Sequence, residues 1–177
     1  MALKLQNQSL NRKSLEEFKQ AQKHPIVLVL DNVRSLNNVG SAFRTGDAFL
    51  VEHIYLCGST GTPPNKEIEK TALGATESVN WKHFNSTEEA IQELKLRGYK
   101  IYAIEQASDS IPLNTFNYTG EKTALVFGNE VYGVEQNIVD VCDGVIEIPQ
   151  EGTKHSLNIS VTVGIVLWEM LRANNKI

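Results

Sequence analysis

"IVLVLDNVRSLNNVGSAFRTGDAFLVEHIYLCG", residues 26–58, opens with an apolar run, crosses a stretch with three asparagines and two arginines, and closes on a second apolar run. Apolar runs of this length suit strands, and a strand apolar at successive rather than alternate positions must be covered on both faces. Between the runs, 41–50 reads as a helix. Strand, helix and strand in this order form the unit of a parallel sheet.

The same alternation continues outward. Further apolar runs stand at 99–104, 123–127 and 144–148, and helical stretches at 67–75, 87–97 and 134–141. Ser86 with Glu89 forms a capping box for the helix over 87–97, and Gly98 stops it. The pattern predicts an α/β fold, an open and mainly parallel sheet with helices on both faces. Upstream, Ser14 and Glu17 begin a helix over 14–23 that His24-Pro25 ends. Downstream, Leu157, Ile159, Val161, Val163 and Ile165 alternate like a strand, but the length of 156–175 favours a helix. Such a helix is apolar nearly all round, so burial on more than one side is expected. Ser160 and Gly164, four apart, permit close approach of another element, and a homodimer interface would supply one.

Composition narrows the classes. A chain of 177 residues with 41% hydrophobic residues suits one compact domain with a short appendage, and no internal repeat or long linker interrupts it. No apolar stretch nears the ~18 residues that cross a bilayer, and the N-terminal residues lack a signal-peptide core, so a cytoplasmic protein without a membrane partner is expected. Cys57 and Cys142 lie far apart, and His24, His53, His83 and His155 lack ligand spacing, so no metal is expected. The net charge of −4 is unevenly spread: residues 1–24 carry five Lys/Arg against two Glu, while 101–153 carry Lys122 against nine acids. An anionic polymer would land on the N-terminal segment, although a solvated amphipathic helix accounts for the same charges.

Ligands of open parallel sheets bind beyond the carboxyl ends of the strands. There the sequence places Asn32, Arg34, Asn37 and Asn38, then Arg44 in the following helix; Glu105 and Gln106; "GNEVYG" at 128–133; and "PQEGTKHSLN" at 149–158. No G-x-G-x-x-G fingerprint is present. Gly128 and Gly133 have P-loop spacing, but Val134-Glu135 stand where Lys and Ser/Thr belong, and Glu130 and Glu135 would repel a triphosphate. Close backbone approach at Gly128 and Gly133, with an anion at Glu130, suits a ligand that is neutral or positive there. His155 reads as a base or as a surface-loop histidine, and Arg44 as a site residue or as an exposed partner of Asp47.

Three blocks, "NNVGSAFRTGDAF" at 37–49, "LVFGNEVYGV" at 125–134 and "EIPQEGTKHSLNISVTVGIVLWE" at 147–169, resemble the three motifs of the SpoU (TrmH-like) branch of SPOUT methyltransferases, RNA ribose 2′-O-methyltransferases that use S-adenosylmethionine. The resemblance runs from Pro25 to about Arg172. It implies catalytic roles for Asn38, Arg44, Glu130, Ser156 and Asn158, and cofactor contacts at Ile104, Glu105, Gly128, Asn129, Gly133, Ile148, Ser156 and Leu157. It further implies a C-terminal deep trefoil knot, a homodimer with cofactor sites at its interface, and a tRNA or rRNA substrate, with a lean to tRNA. The domains expected are a basic helical extension over 1–24 and the methyltransferase domain over 25–177.

Gln150 and Asn129 depart from the common motif residues and bear on substrate fit. Family proposals pass the hydroxyl proton to the motif arginine. Guanidinium groups in proteins keep their proton, so Arg44 is expected instead to fork onto an RNA phosphate. Asn38, read as just ahead of the helix and six residues before Arg44, about 9 Å at ~1.5 Å per residue, is expected to hold that side chain. A non-catalytic RNA-binding protein is the alternative; a nucleotide-binding oxidoreductase is weakened by the missing glycine fingerprint.

Overall fold

The computed structural model describes residues 2–6, 10, 12–174 and 176–177. Within the expected extension over 1–24, residues 1, 7–9 and 11 lie outside the described residues. The remainder holds α1 (Leu15–Gln20), whose capping box is complete: Glu17 N donates to Ser14 Oγ at 3.1 Å and Ser14 N to Glu17 Oε2 at 2.7 Å. The helix stops short of the expected 14–23 because Lys23 Nζ turns back onto the carbonyls of Phe18 and Ala21 in place of a further turn. Phe18, 4% exposed, joins the core beneath the sheet.

Among the described residues seven strands form one sheet: β1 (His24–Asp31), β2 (Val51–Cys57), β3 (Trp81–Phe84), β4 (Lys100–Ile104), β5 (Ile111–Pro112), β6 (Thr123–Phe127) and β7 (Gly144–Glu147). Their order is β3-β2-β1-β6-β4-β7-β5, with every neighbouring pair parallel. The five apolar runs are all strands. β3 and β5 escaped the sequence reading because both are edges: Trp81, Lys82 and His83 are exposed and supply no apolar run, and β5 has only two residues. Ile26 to Leu30 of β1 have no exposed surface, as a central strand apolar at every position requires.

Helices α2 (Leu36–Ala48), α3 (Lys66–Ala72), α4 (Ala75–Ser78), α5 (Thr87–Leu96), α6 (Gln136–Val139) and α7 (Ile159–Ala173) complete the chain. Ile26, Leu28 and Leu30 face Phe43 of α2, Ile68 of α3 and Val163 and Leu167 of α7, while Val27 and Val29 share the opposite core with Ile91 of α5 and Ile138 of α6. The sheet is thus covered on both faces.

Like α1, α3 and α6 are shorter than expected, and α2 and α7 depart in ways that bear on the site. α2 begins at Leu36 rather than 41, with Ser35 as its N-cap accepting from Asn38 N at 3.3 Å. Two asparagines and Gly40 are poor helix formers and mask the helical spacing of Leu36, Val39 and Phe43. Gly40 is needed there, since a Cβ would lie 2.2 Å from Ile68 O. α7 is a helix, but among the described residues one side alone is covered: Val163, Val166, Leu167, Met170 and Leu171 are buried, while Val161, Ile165 and Trp168 stay exposed. The sheet and α2 take one face, leaving the opposite stripe bare.

No helix among the described residues is long and apolar enough to cross a membrane. The first three strands step outward from β1 in chain order. On the other side β6 lies between β1 and β4, so the carboxyl ends of β6, β4 and β7 stand side by side.

Candidate active site

Beyond those ends the sheet opens into a cavity of about 890 Å³, within the range of small-molecule sites. Its walls come from the loops after β4, β6 and β7. All eight residues expected to contact a cofactor line it: Ile104, Glu105, Gly128, Asn129, Gly133, Ile148, Ser156 and Leu157.

The loop after β6 is a turn folded on itself. Asn129 N donates to Gly133 O at 3.0 Å and Gly133 N to Asn129 O at 2.8 Å. The Asn129 side chain accepts from Val131 N at 2.8 Å and Tyr132 N at 3.3 Å, and its Nδ2 donates to Asn32 O at 2.8 Å. A Cβ on Gly128 would lie 2.1 Å from the carbonyl carbon of Gly133, and Gly133 itself has φ +68°. The close approach expected of a ligand at Gly128 is therefore made by the chain itself.

Two of the carboxylates at the rim, Glu105 and Glu130, accept backbone N–H groups. Glu105 Oε1 accepts from Gln106 N at 2.8 Å and its Oε2 from Val134 N at 3.1 Å. Gln106 Nε2 donates to His155 O at 2.6 Å, tying the loop after β4 to the loop after β7. Glu130 accepts from Arg34 N and Ser35 N, each at 3.0 Å, and from Asn38 Nδ2 at 2.9 Å. These donors sit at the N-terminus of α2, where the helix dipole favours an anion. Burial pushes the Glu130 carboxyl up, but the donors outweigh it and hold the group below the usual carboxylate range.

Asn158 connects this cluster to α7. Its Nδ2 donates to Asn38 Oδ1 at 3.3 Å, while its Oδ1 caps α7 by accepting from Ser160 N at 2.8 Å. Glu130, Asn38 and Asn158 thus form one hydrogen-bonded chain across three segments. Ser156 lines the cavity, exposed and without a side-chain hydrogen bond among the described residues.

Arg44 stands apart. It is exposed, does not line the cavity, and has no hydrogen bond or ion pair among the described residues. The expected contact with Asn38 is not made. Asn38 lies inside α2 rather than ahead of it, six residues turn an α-helix through roughly 600°, so the two side chains leave on different faces. The Asn38 amide is also occupied by Glu130 and Asn158. Asp47, the other candidate partner, accepts from Ser78 Oγ instead.

Gln106, placed beyond the strand end together with Glu105, also lines the cavity, as do Val131, Tyr132 and Glu147, to which the sequence assigned no role. Ser35 was missed as well. Read as an N-cap ahead of Leu36, Val39 and Phe43, it would have placed the start of α2, and with it the donors that hold Glu130. No cluster of three or more His, Cys, Asp or Glu suited to a metal occurs among the described residues.

Known proteins resemble this chain in sequence and fold. The chain is 31% identical over 165 residues to the tRNA (guanosine(18)-2′-O)-methyltransferase of Thermus thermophilus, covering 93% of this chain and 84% of that one. The crystal structure of the A. aeolicus TrmH/SpoU tRNA modifying enzyme superposes with a TM-score of 0.80 at 30% identity, covering 92% of this chain and 83% of that one. An AdoMet-bound rRNA methyltransferase from Sinorhizobium meliloti superposes with a TM-score of 0.79 at 27% identity, covering 88% of this chain and 59% of that one. The sequence profile of the SpoU rRNA Methylase family matches residues 25–168, most of the chain and every segment of the site. This chain belongs to the SpoU rRNA Methylase family.

Proposed function

We propose that this chain is an S-adenosylmethionine-dependent RNA 2′-O-methyltransferase acting on tRNA or rRNA, with tRNA favoured because the Thermus relative is named for a tRNA guanosine and is matched over most of its length. The observation that carries the reading is the hydrogen-bonded chain Glu130–Asn38–Asn158 beside a cavity at the break in strand order. Ile104, Ile148 and Leu157 offer apolar wall for a flat ring, and Glu105, Glu130 and Glu147 set a negative potential that suits a cationic cofactor.

When bound, S-adenosylmethionine supplies a methyl group on a sulfonium, so the reaction needs an aligned hydroxyl oxygen and an exit for one proton. Glu130 is unsuited to take that proton, since its carboxylate is held low and already accepts three hydrogen bonds. Its work is positional: it fixes the start of α2 against the loop after β6. Arg44, farther along the same helix, keeps its charge and forks onto the phosphate beside the target ribose. The proton then leaves to that phosphate or to water.

The rest of the reading concerns assembly. A homodimer through the bare stripe Val161, Ile165 and Trp168 would place the cofactor sites at an interface and cover that apolar surface. A trefoil knot is supported by β6 lying between β1 and β4 and by α7 packing against the short 3-10 turn Leu113–Thr115 that precedes β6. Residues 1–24 would serve as a basic arm toward RNA and 25–177 as the catalytic domain, working in the cytoplasm on its RNA.

The test is single-turnover transfer of labelled methyl to a mixed pool of unmodified tRNA and rRNA transcripts, with calorimetry for the cofactor. The label is expected on ribose 2′-oxygens, and Arg44→Ala is expected to cost at least ~100-fold in rate while leaving S-adenosylmethionine affinity within about twofold. A wild-type chain that binds no S-adenosylmethionine would refute the reading in favour of a non-catalytic RNA-binding protein.

A further inference from the structure

Tyr132 is 79% exposed and Val131 66%, at the tip of the turn after β6, and both line the mouth of the cavity. A lone exposed aromatic is ordinary on a protein surface. This one differs in how it is held. Its N–H and that of Val131 are fixed by the Asn129 side chain, and the turn is closed by the paired backbone bonds of Asn129 and Gly133. The residue before Val131 is Glu130, anchored by three donors at the start of α2. The ring therefore projects from a braced backbone, and it has no hydrogen-bond, aromatic or cation partner among the described residues.

The surroundings select the ligand. Glu105, Glu130 and Glu147 disfavour an anion near the tip, whereas a nucleobase is flat and neutral. A ribose whose 2′-hydroxyl enters the cavity belongs to a nucleotide lifted from its neighbours, and its base needs a new stacking surface. Cofactor rings have apolar wall deeper in, at Ile104, which is 9% exposed, and at Ile148. We infer that Tyr132 is a stacking platform for the base of the nucleotide being methylated, with Val131 extending the shelf, an inference that rests on the methyltransferase reading above. A ring carried on a braced backbone has only its two side-chain torsions to order when a base settles on it, so a single position can contribute measurably to RNA affinity.

The test compares Tyr132→Ala, Tyr132→Phe and wild type in three measurements: methyl transfer to the pool of transcripts, anisotropy with a fluorescein-labelled tRNA transcript, and calorimetry with S-adenosylmethionine. Tyr132→Ala is expected to raise the RNA KM and Kd about tenfold, as loss of one stacked base does, and to leave cofactor affinity within about twofold. Tyr132→Phe is expected to behave as wild type. The inference is overturned if Tyr132→Ala binds RNA as tightly as wild type, if cofactor affinity falls by the same factor, or if Tyr132→Phe is as weak as Tyr132→Ala. A wild-type chain that binds RNA through Tyr132 yet transfers no methyl overturns the methyltransferase reading, and with it the identity of the stacked nucleotide, and leaves Tyr132 as a base-stacking residue only.

Discussion

The two sides of β1 are finished differently at the carboxyl edge of the sheet. Toward β2 the end is closed: Thr60 Oγ1 donates to Leu30 O and accepts from Val33 N, both at 2.9 Å, and Asn32 Oδ1 accepts from Ser59 N at 3.0 Å. Toward β6 the end opens into the cavity, and the groups that frame it are tied across much longer stretches of chain. Arg34 N and Ser35 N reach Glu130, 96 and 95 positions away, against 27 for Ser59 and Asn32. Where neighbours in sequence are neighbours in space, short loops satisfy their own polar groups. Where strand order breaks, the groups at the ends depend on distant partners, and a concave site forms between them.

The largest test of this contrast exchanges glycines on the two sides. A Cβ at Gly128 would lie 2.1 Å from Gly133 C and 2.2 Å from Val134 N, which are backbone atoms, so the turn after β6 must open. Gly128→Ala is expected to weaken S-adenosylmethionine binding at least ~10-fold in calorimetry and to lower the melting temperature. Gly58, on the closed side, has φ +60° and would meet the Asn32 side chain at 2.2 Å. Gly58→Ala is expected to cost about 1–2 kcal/mol of stability through left-handed strain, with cofactor affinity unchanged. Equal loss of cofactor binding in both variants would erase the distinction between the sides.

A middle-sized effect concerns Asn158, which joins the open side to α7. Asn158→Ala removes an N-cap and is expected to cost about 1 kcal/mol in urea unfolding. Asn158→Asp keeps the cap, loses the donor toward Asn38 and adds a negative charge at the start of α7. It is expected to retain most of the stability while lowering the methyl-transfer rate. If the two variants were equally unstable, the cap would not be what Asn158 contributes.

The same contrast explains what the sequence disclosed. Strands such as Ile26–Leu30 announce themselves because burial on both faces leaves no polar position, whereas the eight expected cofactor contacts follow from the resemblance of the three motifs. Spatial pairings were not legible. Nothing in a linear reading sets Glu130 against the N-terminus of α2, because that meeting depends on β6 entering beside β1. Asn37 and Asn38 lowered the apparent helix propensity, the second while serving the site, so the start of α2 was read late and Asn38 was aimed at Arg44 instead of Glu130.

The smallest effect separates the two sides by the sign of their response to pH. Glu130, on the open side, is held below its ordinary value of 4.5: burial raises it, and the N–H of Arg34, the Asn38 amide and the N–H of Ser35 more than offset that. The unfolded chain then takes up the proton first. Glu130 contributes stability that is complete above about pH 4.5 and is lost as pH falls through its folded value. Asp31, at the closed end of β1, is raised above 3.8, chiefly by burial, with Thr87 and Asn32 offsetting in part and Glu135 and Glu88 adding to the rise. Here the folded chain holds the proton more tightly, so the contribution is present below about pH 3.8 and is lost as pH rises through the folded value. Urea unfolding between pH 3 and 7 should therefore show wild type gaining on Glu130→Gln as pH rises, by less than about 1 kcal/mol because the carboxylate is exposed. Wild type should lose ground to Asp31→Asn over the rise above pH 3.8. Parallel pH profiles for the two variants would mean that the open and closed ends hold their carboxylates in the same way.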